Sequence, residues 1–240
     1  MMRILIDAGH NDRYVDTGAS GNGLREQDVT LDIAQLLGKK LAAVGVDVKQ
    51  SRHNKTDVIG ATLGESLAKR AQMANELKAD LFISIHCNAH ANVNSKGTEV
   101  YAYSTTSKGY PLAKVVCDSI CKNLGTVNRG AKTANFAVLK QTSMPAILIE
   151  TAFITNASDA ELLKNRKDDF AEAICNAVCE YYEIKAEAKQ LESANDIIWE
   201  LMNGPLKIQI SEVDKAVKAL DEAKKANSSL YWILYKLVNK

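Results

Sequence analysis

The sequence lacks several features that would have set its functional class at once. It has no charge imbalance. The formal net charge is +1 over 240 residues, so no global field favours nucleic acid or anionic lipid. It has no apolar run near the roughly 20 residues needed to span a bilayer, so membrane insertion is not expected. Its N-terminus, MMRILIDAGH, sets a basic residue before an apolar run, but that run covers only Ile4 to Ile6 and meets Asp7. This reads as a strand rather than the apolar core of a signal peptide, and predicts synthesis in the cytoplasm without such a peptide. The five cysteines, Cys87, Cys117, Cys121, Cys175 and Cys179, include no CxxC pair, and their odd number argues against a disulfide framework. Cys117/Cys121 and Cys175/Cys179 are spaced i, i+4 on expected helices. That spacing is open to metal thiolates, but small buried apolar residues are the simpler reading. No internal repeat or low-complexity tract is present.

What is present is an ordinary globular composition, 46% hydrophobic and 25% charged, in a chain long enough for one large domain and a small appendage. Short apolar runs alternate with stretches of helical period. RILID (3–7), VDVKQS (46–51), LFISI (81–85), GTEVYAY (97–103), FAVLK (136–140) and AILIET (146–151) read as strands. Helices are expected with Val29, Ile33, Leu37 and Leu41 on one face, over 65–78, over 109–124, and as one long helix opened by Ser158 and Glu161 at capping-box spacing. The pattern predicts an α/β fold: a twisted, mostly parallel sheet of about six strands flanked by helices. Ile4–Ile6, Leu81–Ile85 and Ile147–Ile149 should be central, because strands covered on both faces read as continuous apolar runs.

Beyond about residue 184 the character changes to charged helical segments carrying Trp199 and Trp232. The expected division is an α/β domain over 1–184 and a small α-helical C-terminal region over 185–240. That region either packs on the first domain or serves as a targeting or self-association module, with Tyr231, Trp232 and Tyr235 as its aromatics.

The ends of the central strands carry the chemistry. The first strand ends in Asp7-Ala8-Gly9-His10, the third in His86, the last in Glu150. In an open α/β sheet, residues beyond the carboxyl ends of neighbouring strands converge on one crevice. Glu26, at the start of the first helix, is a further candidate, although a first-turn acid is also favoured by the helix dipole alone. Two imidazoles and one carboxylate make a His₂Glu zinc site with an open fourth position. A second carboxylate, not bound to the metal, can then move protons between water and a leaving amine.

Three segments, IDAGHNDRYVDTGASGNGLREQDVTLDIA, LAKRAQMANELKADLFISIHCNA and NRGAKTANFAVLKQTSMPAILIETAFITNASD, together resemble the zinc-dependent N-acetylmuramoyl-L-alanine amidases of the amidase-3 family. The resemblance runs in order over residues 3 to about 182. It rests on Gly9-His10, the R-E-x-D of Arg25 to Asp28, the S-I-H-x-N-A of Ser84 to Ala89 and the M-P-A-x-L-x-E of Met144 to Glu150. It implies that His10, Glu26 and His86 ligate Zn²⁺ and that Glu150 is the catalytic acid/base. It further implies a peptidoglycan-hydrolysing, bacteriolytic enzyme that cuts between N-acetylmuramic acid and L-alanine. An amidase without a signal peptide and with a C-terminal module is similar to phage or prophage endolysins, which reach the wall after a separate membrane lesion; a mother-cell lytic amidase fits as well.

Asn88 either hydrogen-bonds beside a metal ligand or caps a turn. Arg129 is either a bidentate partner for a stem-peptide carboxylate or a solvated surface residue. His53 and His90 lie outside the matched positions and are expected at the surface. Two other functions stay open: a zinc peptidase cutting within the stem peptide, and a non-catalytic wall-binding protein on the same fold. No nucleic-acid partner is expected, and self-association would run through the C-terminal helices.

Overall fold

The three apolar runs lie in the interior of a single sheet in a computed structural model of the chain, which describes residues 1–12, 15–184 and 218. The strands are β1 (Arg3–Ala8), β2 (Ser20–Gly21), β3 (Leu24–Arg25), β4 (Asp47–Gln50), β5 (Leu81–Asn88), β6 (Thr98–Ala102), β7 (Asn128–Thr133) and β8 (Ala146–Phe153). Six of them form one sheet in the order β4-β1-β5-β8-β6-β7, while β2 and β3 pair with each other. Neighbours in the large sheet are parallel except β6 and β8, which run antiparallel.

Alternation along the strands divides the core in two. Ile4, Ile6, Ile83, Ile85, Ile147 and Ile149 face the larger cluster. They meet α1 (Glu26–Ala43), α3 (Gly109–Leu124) and α6 (Lys167–Tyr181) through Ile33, Leu37, Val116, Ile120, Phe170 and Ile174. Each such side chain removed from water stabilises the fold by at most about 1.5–3 kcal/mol. Leu5, Phe82 and Leu148 point the other way, to a thinner layer of α2 (Leu63–Glu76) and α4 (Ala137–Lys140). A cavity opens between this thin layer and the sheet, and the candidate site residues gather there.

Two local expectations are corrected, and one further strand is found. Residues 137–140 of the FAVLK run form the short helix α4, not a strand. A brief apolar run has no period that separates the two states, and Thr142 closes this turn by donating Oγ1 to Val138 O at 3.0 Å. NRGAKT becomes strand β7 although it carries no apolar alternation. It is an edge strand, largely exposed, so pairing rather than burial holds it. The long helix after Ser158 is two, α5 (Ala157–Asn165) and α6, broken at Arg166. Asn156 is the cap in place of Ser158, accepting from the Ser158 and Asp159 amides at 3.1 Å each.

Residues Met1–Ala186 separate as one compact unit. Apart from Lys218, the region 185–240, with its expected helices and both tryptophans, lies outside the described residues. Among the described residues no helix is long and apolar enough to cross a membrane.

Candidate metal centre

His10 follows β1 in a backbone conformation that a non-glycine residue rarely adopts, with φ +66°. Two buried arginines hold that turn. Arg70, on α2, donates Nη1 to Ala8 O (2.8 Å) and Nη2 to His10 O (2.6 Å). Arg52 donates Nε to Ala8 O (3.2 Å) and Nη2 to Gly9 O (3.1 Å). Arg70 is neutralised by the buried Asp7 at 2.5 Å, which also accepts from Ser51 and Ser84. Burial pushes the Asp7 carboxyl up, but the Arg70 charge and these hydrogen bonds outweigh it and hold the group below its ordinary range. The His10 ring is oriented by Asp16, whose Oδ1 lies 3.0 Å from Nδ1, leaving Nε2 to face inward.

Glu26 opens α1 and is almost fully buried. Its Oε2 accepts from the Ala19 amide at 2.8 Å and its Oε1 from the Cys87 amide at 2.9 Å. His86 comes from β5, with its carbonyl accepting from Thr151 Oγ1 at 2.8 Å. His10 Nε2, His86 Nδ1 and Glu26 Oε1 form a triangle whose three edges are each 3.1 Å. Among the described residues this is the one group of three or more His, Cys, Asp or Glu side chains that could hold a metal ion.

The electrostatics of the triangle favour a cation. Burial pushes the His10 imidazole down, yet Asp16 and Glu26 outweigh it and raise its pKa to about 9. Burial likewise pushes Glu26 up, but hydrogen bonds and charge from His10 and His86 hold it well below the carboxylate range.

Glu150 stands beside the triangle. It pairs directly with His86 across β5 and β8, and with Glu99 across β8 and β6. Its Oε2 is buried and has no hydrogen-bond partner among the described residues. Burial pushes its carboxyl up to about 7, with His86 opposing and Glu26 and Glu99 adding to the rise. His10, Glu26, His86, Asn88 and Glu150 share a cavity of about 360 Å³ with an apolar wall of Leu63, Leu67, Phe136 and Val138. A larger groove of about 920 Å³ along β4 holds His53 and Glu76 but none of these groups.

Asn88 lies at the end of β5 and donates Nδ2 to Glu99 Oε1 at 2.6 Å. Arg129 stands on β7 outside the cavity, donating Nε to Glu99 Oε2 at 2.7 Å with its guanidinium 4.9 Å from the centre of the Phe153 ring. His53 and His90 are exposed. All five cysteines are free, with Cys87, Cys117 and Cys175 buried. The residues that sequence reasoning passed over are Asp16, Arg52 and Arg70. One signal for Arg70 was available: it falls on the apolar stripe of α2, between Leu67 and Ala74.

Gly9 is required by close approach. A Cβ there would stand 2.6 Å from His86 Nε2 and 2.8 Å from Nδ1. Gly9→Ala is therefore expected to displace the imidazole and lower metal affinity by at least the roughly 10- to 100-fold typical of a lost outer contact. Competition with a chromogenic chelator checks this, and unchanged affinity would contradict it.

A family model described as N-acetylmuramoyl-L-alanine amidase matches residues 4–180. The chain is 45% identical to the N-acetylmuramoyl-L-alanine amidase LytC of Bacillus subtilis over 184 residues, covering 75% of this chain and 35% of LytC, so it spans about a third of that relative. It is 36% identical to the endolysin of Bacillus phage SPP1, covering 77% of this chain and 68% of the endolysin. The crystal structure of an N-acetylmuramoyl-L-alanine amidase from Clostridium difficile 630 superposes with a TM-score of 0.69 at 34% identity, over 77% of this chain and 98% of that one.

Proposed function

The chain belongs to the N-acetylmuramoyl-L-alanine amidase family, and from that premise we propose that it hydrolyses the amide between N-acetylmuramic acid and L-alanine of peptidoglycan, using zinc held by His10, Glu26 and His86. The observation that carries the metal assignment is the triangle of donor atoms. Ligands about 2.0–2.1 Å from a tetrahedral zinc stand about 3.3 Å apart, and the three edges here are 3.1 Å. The donor set is the His₂Glu combination of hydrolytic zinc sites, and its open side faces the cavity. Asp16 on His10 Nδ1 fixes the tautomer that presents Nε2.

Bound zinc supplies Lewis acidity to the scissile carbonyl and to water. Glu150 does the proton work: the unpartnered Oε2 accepts a proton from the attacking water and returns it to the nitrogen of the departing L-alanine. A carboxyl poised near neutrality suits both transfers, and the buried strand β8 fixes its position. Asn88 and Arg129 are the proposed substrate contacts, at the cavity rim and just beyond it.

Chelation tests the metal directly. Release of dye from labelled cell walls is expected to stop on dialysis against a chelator and to return with added zinc. Undiminished release by metal-free protein contradicts the assignment. A peptidase acting within the stem peptide, the second reading, differs in its products.

An endolysin role is proposed on the likeness to the SPP1 endolysin, with action at the bacterial cell wall. The division into a catalytic domain over 1–184 and a targeting or self-association module over 185–240 is likewise a proposal. A chain cut after residue 184 is expected to stay soluble and hydrolyse soluble muropeptides at the full-length rate, while sedimenting less with intact walls. An insoluble product would assign the C-terminal region to the catalytic core.

A further inference from the structure

We propose that Arg129 and Lys132, gathered by Glu99, form a subsite for a free carboxylate on the second or third residue of the stem peptide; this rests on the amidase reading above. The sheet register supports it. His86, Glu150 and Glu99 are direct cross-strand neighbours on β5, β8 and β6, so their side chains leave the same face at one level. Strand β7 lies beyond Glu99: Lys132 pairs with Tyr101, two residues along β6 from Glu99, and Arg129 falls in the register shift between Asn128 and Ala131. Adjacent strands stand about 4.8 Å apart, which puts Glu99 roughly 10 Å from His86. Extended peptide covers at most about 3.3–3.6 Å per residue, so that distance is about three residues of main chain, and a side-chain carboxylate on the second reaches toward it. A stem peptide leaving the scissile amide along the row meets Glu99 and its cations at that point.

The chemistry of the cluster leaves room for one more anion. Glu99 is almost fully buried and fully engaged. Its Oε1 accepts from Asn88 and from Tyr101 OH (2.8 Å), and its Oε2 from Arg129 and from Lys132 Nζ. These bonds outweigh burial and hold its pKa at about 2, so it stays ionised near neutrality. Among the described residues Glu99 is the one carboxylate ion-paired with Arg129 or Lys132, so two cations share one paired anion. Arg129 and Lys132 are both about one-third exposed, so donors remain open to solvent. The Arg129 guanidinium lies over the Phe153 ring, 4.9 Å from its centre, a cation–π contact that helps to place it. A substrate carboxylate would complete a square of two cations and two anions.

The test uses full-length, zinc-loaded protein and three soluble muropeptides: both carboxyls free, the second residue amidated, the third residue amidated. Hydrogen bonds to charged groups are worth enough that amidation at one position should lower kcat/KM by about tenfold or more, chiefly through KM. In Arg129→Gln and in Lys132→Gln the ratio of free to amidated substrate should fall to about one, while Arg129→Lys should retain part of it. A cluster that only staples β7 to the sheet would lower melting temperatures in these variants without changing the ratio. Equal cleavage of all three by the wild type, or an unchanged ratio in both Gln variants, overturns the proposal. Titration calorimetry with the free peptides, acid against amide, gives a reading that needs no catalysis. If no muropeptide is cut at the L-alanine bond, the amidase reading has failed. The subsite then stands or falls on whether the wild type prefers the acid peptide and the Gln variants do not.

Discussion

Glu150→Gln is expected to keep about one zinc per chain while turnover falls by roughly 10²- to 10⁴-fold, the range a proton-transfer residue contributes. The substitution keeps the shape of the side chain and removes its ability to take a proton. It does not touch the triangle, whose edges run between His10, Glu26 and His86. Because Oε2 is unpartnered among the described residues, the amide should cause little local repacking. His86→Ala is the contrast: it removes a corner of the triangle, so metal and activity should be lost together. Elemental analysis beside turnover separates the two variants. Zinc loss in Glu150→Gln would make Glu150 a ligand and reopen the role of Glu26. Normal turnover in Glu150→Gln would remove the proton-transfer step.

Arg70→Met should give the largest loss of stability, about 3–5 kcal/mol, because it leaves a buried charge without its partner. Domains of ordinary stability have only about 5–15 kcal/mol in total. Asp7 is wholly buried and would lose its 2.5 Å partner, and the carbonyls of Ala8 and His10 would lose their donors. His10 sits at φ +66°, so the turn has a competing conformation ready once the guanidinium is gone. The double variant Asp7→Asn/Arg70→Met should recover part of the loss, since the unpaired carboxylate is removed while the carbonyls stay unsatisfied. The pair also sets a pH dependence. The Asp7 carboxyl is held below its ordinary value of 3.8, so its contribution is complete above that value and is lost as pH falls through the lower, folded one. Denaturant melts of metal-free protein near neutrality and in acid check both statements. An unchanged midpoint in Arg70→Met would contradict them.

How much of this was legible in the sequence follows from burial. Ile4–Ile6, Leu81–Ile85 and Ile147–Ile149 announced the sheet centre because strands covered on both faces need apolar residues at every position. β7 did not, because an edge strand is held by backbone pairing and its composition is free. Residues 136–140 misled because so short a run has no usable period. His10, His86 and Glu150 stood out because each follows the apolar run of a central strand, where side chains converge, although β5 and β8 continue past His86 and Glu150 to Asn88 and Phe153. The part played by Glu26 was not separable from a helix-dipole acid by spacing, and only the family resemblance distinguished it. Arg52 and Arg70 were not singled out from the sequence. Their function depends on three successive carbonyls, Ala8 to His10, turning inward, which no side-chain pattern records. The Glu99 cluster was hidden for a similar reason: its members come together only through the register of β6 with β7 and β8.

The most direct test is mass analysis of the fragments released from purified peptidoglycan, with and without chelator. The account predicts glycan strands stripped of peptide, together with peptides that begin at a free L-alanine amine, and neither product once zinc is withheld. Fragments cut inside the stem peptide with L-alanine still attached to muramic acid, or the same products from metal-free protein, would contradict it.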